Sequence, residues 1–193
     1  MSRGKSHAMR THGNVAKKIL DNQFPEGELS ELVSQIIRGL MRDGKSSLAR
    51  RILYQAISKA AARLTESQKS EIGEYSDIRE LEAKMVMFII DRITPRVEVK
   101  SKRVGGANYQ VPIVVNKKRG TALAIRWLIE AARDRSQGAS MVDKLSNVMY
   151  ETVEGKSAAI TKKETQDKMA NANRANANLV RRTNPSQEVK TSQ

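Results

Sequence analysis

Residues 95–112 read PRVEVKSKRVGGANYQVP, and the side-chain pattern of this stretch repeats every two residues. Two runs rich in β-branched residues flank Gly105-Gly106-Ala107-Asn108. Such runs around a four-residue glycine-rich loop predict a β-hairpin. Eight extended residues span about 26 Å, so the sequence predicts an arm at residues 96–116 that carries positive charge away from the body. The alternative is an ordinary hairpin that lies flat with a solvated basic face.

On both sides of this stretch the apolar residues repeat with the 3.6-residue period of amphipathic helices. Residues 65–76 predict a polar connection, and Trp127 lies on the apolar stripe of the fourth helix, which predicts a core position. The sixth helix is polar on nearly all sides, so something other than the apolar core must hold it in place, and contact with RNA is one candidate. The predicted helices cover about residues 29–41, 48–64, 78–93, 121–135, 141–149 and a segment opened by a Thr161/Glu164 capping box.

The predicted fold is therefore mainly α: a single-domain bundle of about six helices with a protruding two-stranded β-hairpin arm and basic tails. We expect a basic N-terminal extension at residues 1–18, a helical domain at 19–178 and a flexible C-terminal tail at 179–193.

Positive charge is concentrated in three segments of the 193-residue chain, whose formal net charge is +14. Residues 1–18 hold five bases and no acid, residues 96–119 hold seven bases against one acid, and residues 155–193 hold eight against three. The segments between them are close to neutral. A surface built only for solubility would intersperse both signs. This distribution predicts a polyanionic partner, held by three separated basic segments on a helical framework.

Several function classes lack support in the sequence. The chain has no cysteine, so it can form no disulfide and no thiolate site. The longest apolar run, Met85 to Ile90, is far short of the ~20 residues that cross a bilayer. His7 and His12 have no nearby carboxylate, and no phosphate-binding glycine loop occurs. We therefore expect no enzyme activity, cofactor, metal, membrane or small-molecule substrate.

Four blocks of sequence, in the expected order, resemble one known family. They are the hairpin run 95–112, DGKSSLA at residues 43–49, ALAIRWLIEAAR at residues 122–133, and KKE with MANANRA in the sixth helix. Together they resemble the bacterial-type ribosomal protein seven of the small subunit. The resemblance covers about residues 19–178.

The resemblance implies a protein that binds small-subunit ribosomal RNA (rRNA), nucleates assembly of the head domain, and lies near messenger RNA (mRNA) and exit-site transfer RNA (tRNA). Its implied location is the ribosome, in a bacterial cytoplasm or an organelle, with head ribosomal proteins and ribosomal protein eleven as protein partners. The residues expected near mRNA and tRNA are Val104, Gly105, Gly106, Ala107, Asn108 and Tyr109. The residues expected to bind rRNA are Arg3, Lys5, Arg10, Lys17, Lys18, Lys45, Arg96, Lys100, Lys102, Arg103, Lys117, Lys118, Arg119, Lys162, Lys163 and Arg174.

Two other interpretations of the charge remain open. The first is a DNA-binding protein, either architectural or a helix-turn-helix built from the first two helices around Asp43-Gly44-Lys45. The bases of its second helix form no compact reading face, as major-groove recognition requires. The second is an RNA-modifying enzyme, for which no cofactor loop or nucleophile constellation is visible.

Overall fold

In this computed structural model, residues 28–134 and 140–179 are described, and they form seven α-helices, a two-stranded antiparallel sheet and a 3-10 helix. This arrangement confirms the mainly α fold with a β-hairpin. None of the described helices is long and apolar enough to cross a membrane. The elements are α1 Glu28–Leu40, α2 Ser46–Ala61, α3 Glu66–Ile72, α4 Ile78–Ile93, β1 Val97–Val104, β2 Ala107–Val114, α5 Lys117–Asp134, α6 Met141–Glu154, α7 Ala158–Ala172 and the 3-10 helix Arg174–Leu179.

Helix α5 lies at the centre of the bundle, where it contacts α1, α4, α6 and α7. The apolar stripes that predicted the helices meet in one core, as amphipathic helices require. Trp127 packs against this core but is only half-buried, whereas its neighbour Leu128 is fully enclosed. The largest fully buried side chains include Ile36, Leu53, Ile57, Met85, Ile89, Leu128, Leu145 and Met149.

Helix α3 lies within the segment that was predicted to be only a polar connection. Its N-terminus is stabilised by a capping box, in which the Thr65 backbone N–H donates to Gln68 Oε1 at 3.0 Å. The helix buries no side chain of its own. Arg92 Nη1 of α4 lies 3.1 Å from Glu71 Oε1, and Lys84 of α4 donates to the carbonyl of Glu74, just beyond α3. The half-buried Ile72 also packs against the core.

Two helices begin at residues other than those predicted. Helix α5 starts at Lys117 rather than Thr121, and Asn116 Oδ1 accepts from the Arg119 backbone N–H at 2.9 Å. Helix α7 starts at Ala158, and its cap is Ser157, whose hydroxyl accepts from the Ile160 N–H. The predicted Thr161/Glu164 capping box is therefore wrong, because Thr161 lies inside the helix.

The hairpin turn is tighter than predicted. Gly105 and Gly106 have φ values of 57° and 90°, and Ala107 already belongs to β2. Two successive positive φ values are typical of a two-residue type I′ turn, which suits the right-handed twist of the strands. The predicted four-residue loop is wrong, because glycine at both central positions allows the shorter connection.

The predicted side-chain alternation along the arm is confirmed by the register. Val97 pairs with Val114 and Val99 with Pro112 on one face, and Lys100 pairs with Val111 and Lys102 with Tyr109 on the other.

The arm is supported by the C-terminal part of the domain. Strand β1 contacts α7, and β2 contacts the 3-10 helix, where Asn176 Nδ2 donates to the Gln110 carbonyl at 3.0 Å. Val111, which pairs with Lys100 halfway along the arm, is completely buried. Helix α7 in turn buries Ala159, Ile160 and Ala170, so protein contacts hold this polar helix in place.

Replacing Gly120 by alanine should loosen the junction between the arm and α5. A Cβ at Gly120 would lie 2.8 Å from Thr94 Cγ2 and 3.4 Å from the Pro95 carbonyl oxygen. Overpacking of this kind costs about 1–3 kcal/mol, offset by about 1 kcal/mol of helix propensity. We expect a net loss of about 1 kcal/mol in the free energy of unfolding, measured by chemical denaturation.

Gly39→Ala is the matched control, because its Cβ would meet the flexible end of Ile129, at Cδ1, rather than a branched residue beside the backbone. A Gly120→Ala protein as stable as Gly39→Ala would contradict this account of the junction.

Candidate RNA interface

The outer part of the arm exposes cationic side chains near the turn. Arg103 is exposed and makes no ion pair with the described residues, and Lys100 is exposed with only a weak contact, 3.9 Å from Glu98. Lys102 is half-buried on the face opposite Arg103. The arm therefore presents positive charge on both of its faces, as the sequence predicted.

The tip itself carries little side-chain bulk. Gly105 and Gly106 form the turn, Ala107 and Asn108 are exposed, and Tyr109 is 39% exposed. Val104 is half-buried beside them. The tip therefore offers exposed backbone and one aromatic ring to a partner.

Four predicted bases meet where the arm joins α5, but one of them is used inside the protein. Arg96, Lys117 and Lys118 are exposed at this junction. Arg119 instead holds Glu98 with both branches of its guanidinium, Nη2 to Oε1 at 2.8 Å and Nε to Oε2 at 3.3 Å. Such bidentate pairs are the strong, geometrically specific kind. Arg119 therefore attaches β1 to α5.

The Glu98–Arg119 pair should make the arm's attachment depend on pH. The hydrogen bond from Arg119 holds the pKa of the Glu98 carboxyl below its ordinary value. A lowered folded-state pKa adds stability above the unfolded value, about 4.3 for Glu, and that stability disappears as pH falls through the folded value. At pH 7, Glu98→Gln should cost about 0.5–1 kcal/mol of unfolding free energy.

This cost should shrink as pH falls below the unfolded-state pKa and toward the lowered folded-state pKa of Glu98, because the native carboxyl then becomes protonated as well. Urea unfolding of both proteins from pH 7 to pH 3 measures it. A difference between the two proteins that stays constant over this range would show that the ion pair does not stabilise the junction.

A basic groove runs between α1 and α5, and most of its bases were not predicted as site residues. It encloses about 630 Å³, and we name its four bases, Arg38, Lys118, Arg126 and Arg133, the α5 strip. Its acids are Glu31 and Glu130, and the latter is 2.9 Å from Lys162 Nζ. Cations therefore outnumber acids along the groove, which favours an anionic ligand.

Arg38, Arg126 and Arg133 were not predicted because each lies in a segment whose net charge is close to zero. Arg126 and Arg133 follow the predicted Arg119 at intervals of seven residues, which places all three on one face of a helix. Reading the polar face of α5, rather than only its apolar stripe, would have revealed them. Arg38 comes from α1, so only the tertiary fold brings it to the same groove.

The turn between α1 and α2 presents Lys45. Asp43 and Gly44 both have positive φ, 52° and 71°, a conformation that is uncommon for a residue other than glycine. Arg42 and Lys45 on either side of this turn are exposed and make no ion pair with the described residues.

The predicted C-terminal bases differ in their surroundings. Lys162 is 2.9 Å from Glu130, and Lys163 Nζ donates to the Arg92 carbonyl at 2.7 Å. Both therefore help to hold α7 on the bundle. Arg174, in the 3-10 helix, is exposed and makes no ion pair with the described residues.

The leader bases Arg3, Lys5, Arg10, Lys17 and Lys18 lie outside the described residues, as does the tail from residue 180. In the described ranges, no three His, Asp or Glu side chains are grouped as a metal site would require.

The helix-turn-helix interpretation gains no support from the bases at the C-terminal end of α2. Lys59 of α2 bonds to Asp143 of α6, and Arg63, just beyond the end of α2, bonds to Asn147 and stacks 4.5 Å above the Tyr150 ring. A recognition helix must present such side chains to the major groove. Helix α6 instead covers this face of α2.

Comparison with known proteins agrees with the geometry. Residues 5–174 match the family described as Ribosomal protein S7p/S5e. The chain is 42% identical over 148 residues to the small ribosomal subunit protein uS7 of Dichelobacter nodosus, covering 77% of this chain and 85% of that protein. It is 44% identical over 146 residues to that of Acaryochloris marina, covering 76% and 84%. With the protein of the same name from Acidiphilium cryptum it shares 38% over 167 residues, covering 86% and 95%. The chain therefore belongs to the ribosomal protein S7p/S5e family.

Proposed function

We propose that this chain, as a structural component of the small ribosomal subunit, binds small-subunit rRNA through its basic segments and helps to nucleate assembly of the head domain. The observation that carries the proposal is the groove between α1 and α5, where four bases from two helices surround two acids, one of them paired with a lysine. A rigid bundle thus holds cations at fixed spacing, continuous with the bases at the arm junction.

In this proposal, electrostatic attraction supplies affinity for the RNA, and the shape of the RNA supplies specificity. Lysine and arginine displace counterions from phosphates, which supplies affinity without reading sequence. The deep, narrow major groove of A-form RNA excludes side chains, so recognition of paired regions depends on the shape of the RNA. Aromatic residues for base stacking are few, at 4% of the chain. The fixed geometry of the α5 strip and the arm therefore provides the specificity.

The direct test measures affinity of the purified chain for a folded head-domain fragment of small-subunit rRNA and for duplex DNA of equal charge. We expect clear preference for the rRNA fragment. Reconstitution of small subunits without the chain should leave the head proteins unassembled, and adding the chain should restore them. Equal or tighter binding to duplex DNA would favour the DNA-binding alternative and overturn the proposal.

The tip of the arm, residues 104–109, is proposed to lie near mRNA and exit-site tRNA, with ribosomal protein eleven as a neighbouring protein. Its support is the narrow two-glycine turn and the exposed cations directly behind it. The location that follows is the ribosome, in a bacterial cytoplasm or an organelle. The segments 1–18 and 179–193 are proposed as a basic extension and a tail flanking the helical domain.

Neutralising the arm should alter tRNA handling without altering the fold. In ribosomes carrying Lys100→Ala, Lys102→Ala and Arg103→Ala together, we expect faster release of exit-site tRNA and lower reading-frame accuracy, because three cations near the phosphates are lost. Circular dichroism should show unchanged helix content.

The matched control replaces three exposed bases of other surfaces, Arg51, Arg79 and Lys156, by alanine. If the arm variant and this control release tRNA at the same rate as wild type, the proposed position of the tip is wrong.

A further inference from the structure

A second cavity lies beside the α1–α2 turn, and its interior is apolar. It encloses about 420 Å³, within the usual range for small-ligand pockets. We name it the turn pocket. Leu48 of α2 is 41% exposed here. The floor consists of Leu40, Leu48, Ala49, Ile52 and Met141.

The rim of the turn pocket is cationic. Arg42, Lys45, Arg133 and Lys144 line it against the single acid Asp43. Arg42, Lys45 and Lys144 make no ion pair with the described residues. An apolar floor inside a ring of positive charge suits a ligand with a flat uncharged part and anionic groups beside it.

Arg133 connects the turn pocket to the α5 strip, because it lines both cavities. Its Nη2 donates to the Gly39 carbonyl at 3.1 Å, at the C-terminal end of α1. The last carbonyls of a helix attract cations, so this guanidinium is fixed between the two cavities. A polyanion in the groove would therefore reach the pocket without leaving the basic surface.

We propose that the turn pocket receives one unpaired nucleotide of the bound rRNA. The base lies against Leu48 and the other floor residues, and the phosphates on either side lie at the cationic rim. Bases in loops and bulges can turn out of the RNA to be bound in this way, whereas paired bases cannot. The inference rests on the proposed rRNA binding. An acidic protein segment would also match the charge, but the shared Arg133 favours the RNA that occupies the α5 strip.

The first test compares Leu48→Gln with Met87→Gln, since both residues are exposed apolar side chains on helices, 41% and 45% exposed. Neither change alters charge, so the phosphate contacts are retained. We expect Leu48→Gln to lower affinity for the head-domain rRNA fragment by at least about threefold, because a buried base contact is weakened. Met87→Gln should bind as wild type does.

Probing of the same complexes with dimethyl sulfate and a carbodiimide, which together report on all four bases, shows where the contact is lost. One unpaired nucleotide protected by the wild type should become reactive with Leu48→Gln, while the rest of the footprint is unchanged. A footprint identical in both proteins overturns the pocket's role but leaves rRNA binding intact. No footprint with wild-type protein overturns both proposals.

The second test places the photo-crosslinker p-benzoylphenylalanine at position 48 of the full chain in assembled small subunits. An adduct to the nucleotide identified by probing supports the inference. Adducts only to protein identify the acidic-segment alternative, and adducts only to paired rRNA show that no base enters the pocket. Either result overturns the proposal.

Discussion

Raising the salt concentration from 50 to 200 mM should weaken binding of the chain to the head-domain rRNA fragment by on the order of a thousandfold. The reason is counterion release: each phosphate neutralised contributes a slope of about −0.7 to −0.9 to log affinity against log salt. Engagement of about six to eight bases predicts this loss. Filter binding or fluorescence anisotropy at several salt concentrations measures the slope.

The α5 strip should account for part of that slope. Arg38→Gln with Arg126→Gln removes two exposed cations of the groove, so the slope should become less steep by about 1.5. Arg133 is left unchanged because it also holds the end of α1. Arg79→Gln with Lys156→Gln makes the same change in net charge elsewhere and should leave the slope near the wild-type value. Equal slopes in the two double variants would show that RNA does not occupy the groove.

Truncating Leu128 should have the largest effect on stability. Its side chain is completely buried on α5, the helix that contacts four others. Leu→Ala at such sites costs about 3–5 kcal/mol, since both transfer energy and packing are lost. Chemical denaturation should show this loss for Leu128→Ala.

Trp127→Ala provides the comparison, because Trp127 lies next to Leu128 but only half-buried against the core. It should cost clearly less than Leu128→Ala, despite removing a larger side chain. A greater loss for Trp127→Ala would mean that the tryptophan, rather than the leucine, fills the centre of the bundle.

The apolar periodicity of the sequence predicted most of the helices, because the residues that repeat are the ones that become buried in the core. The stripes of α1, α2, α4, α5 and α6 are those that form the core, and the two-residue alternation at 97–104 gave the faces of β1. Helix α3 was not predicted because it buries no side chain fully; the half-buried Ile72 and a few polar contacts hold it on the bundle. Its Thr65/Gln68 capping box was nevertheless present in the sequence as T-x-x-Q.

The candidate site was harder to predict, since charge in a sequence does not reveal its partners. Arg119 and Lys162 read as free bases, yet each lies within 3 Å of a glutamate from another segment. Arg38 and Arg126 belong to near-neutral stretches, and only the packing of α1 on α5 brings them together. Distances between segments far apart in sequence determine which cations face solvent, and no local pattern encodes them.

Helix α5 carries a buried apolar stripe on one face and cationic side chains on the other. Insertions or deletions within it are therefore constrained, because they rotate one face into the place of the other. One residue inserted ahead of Arg126 would swing everything beyond it through about 100°. Glu130 would take the buried place of Ala131, and Arg126 the half-buried place of Trp127, while Ala132 would be exposed at the place of Arg133. The helix therefore tolerates lengthening only near its ends or in steps of about seven residues, which restore the phase. Relatives should vary in length at the junctions of this helix far more than within it.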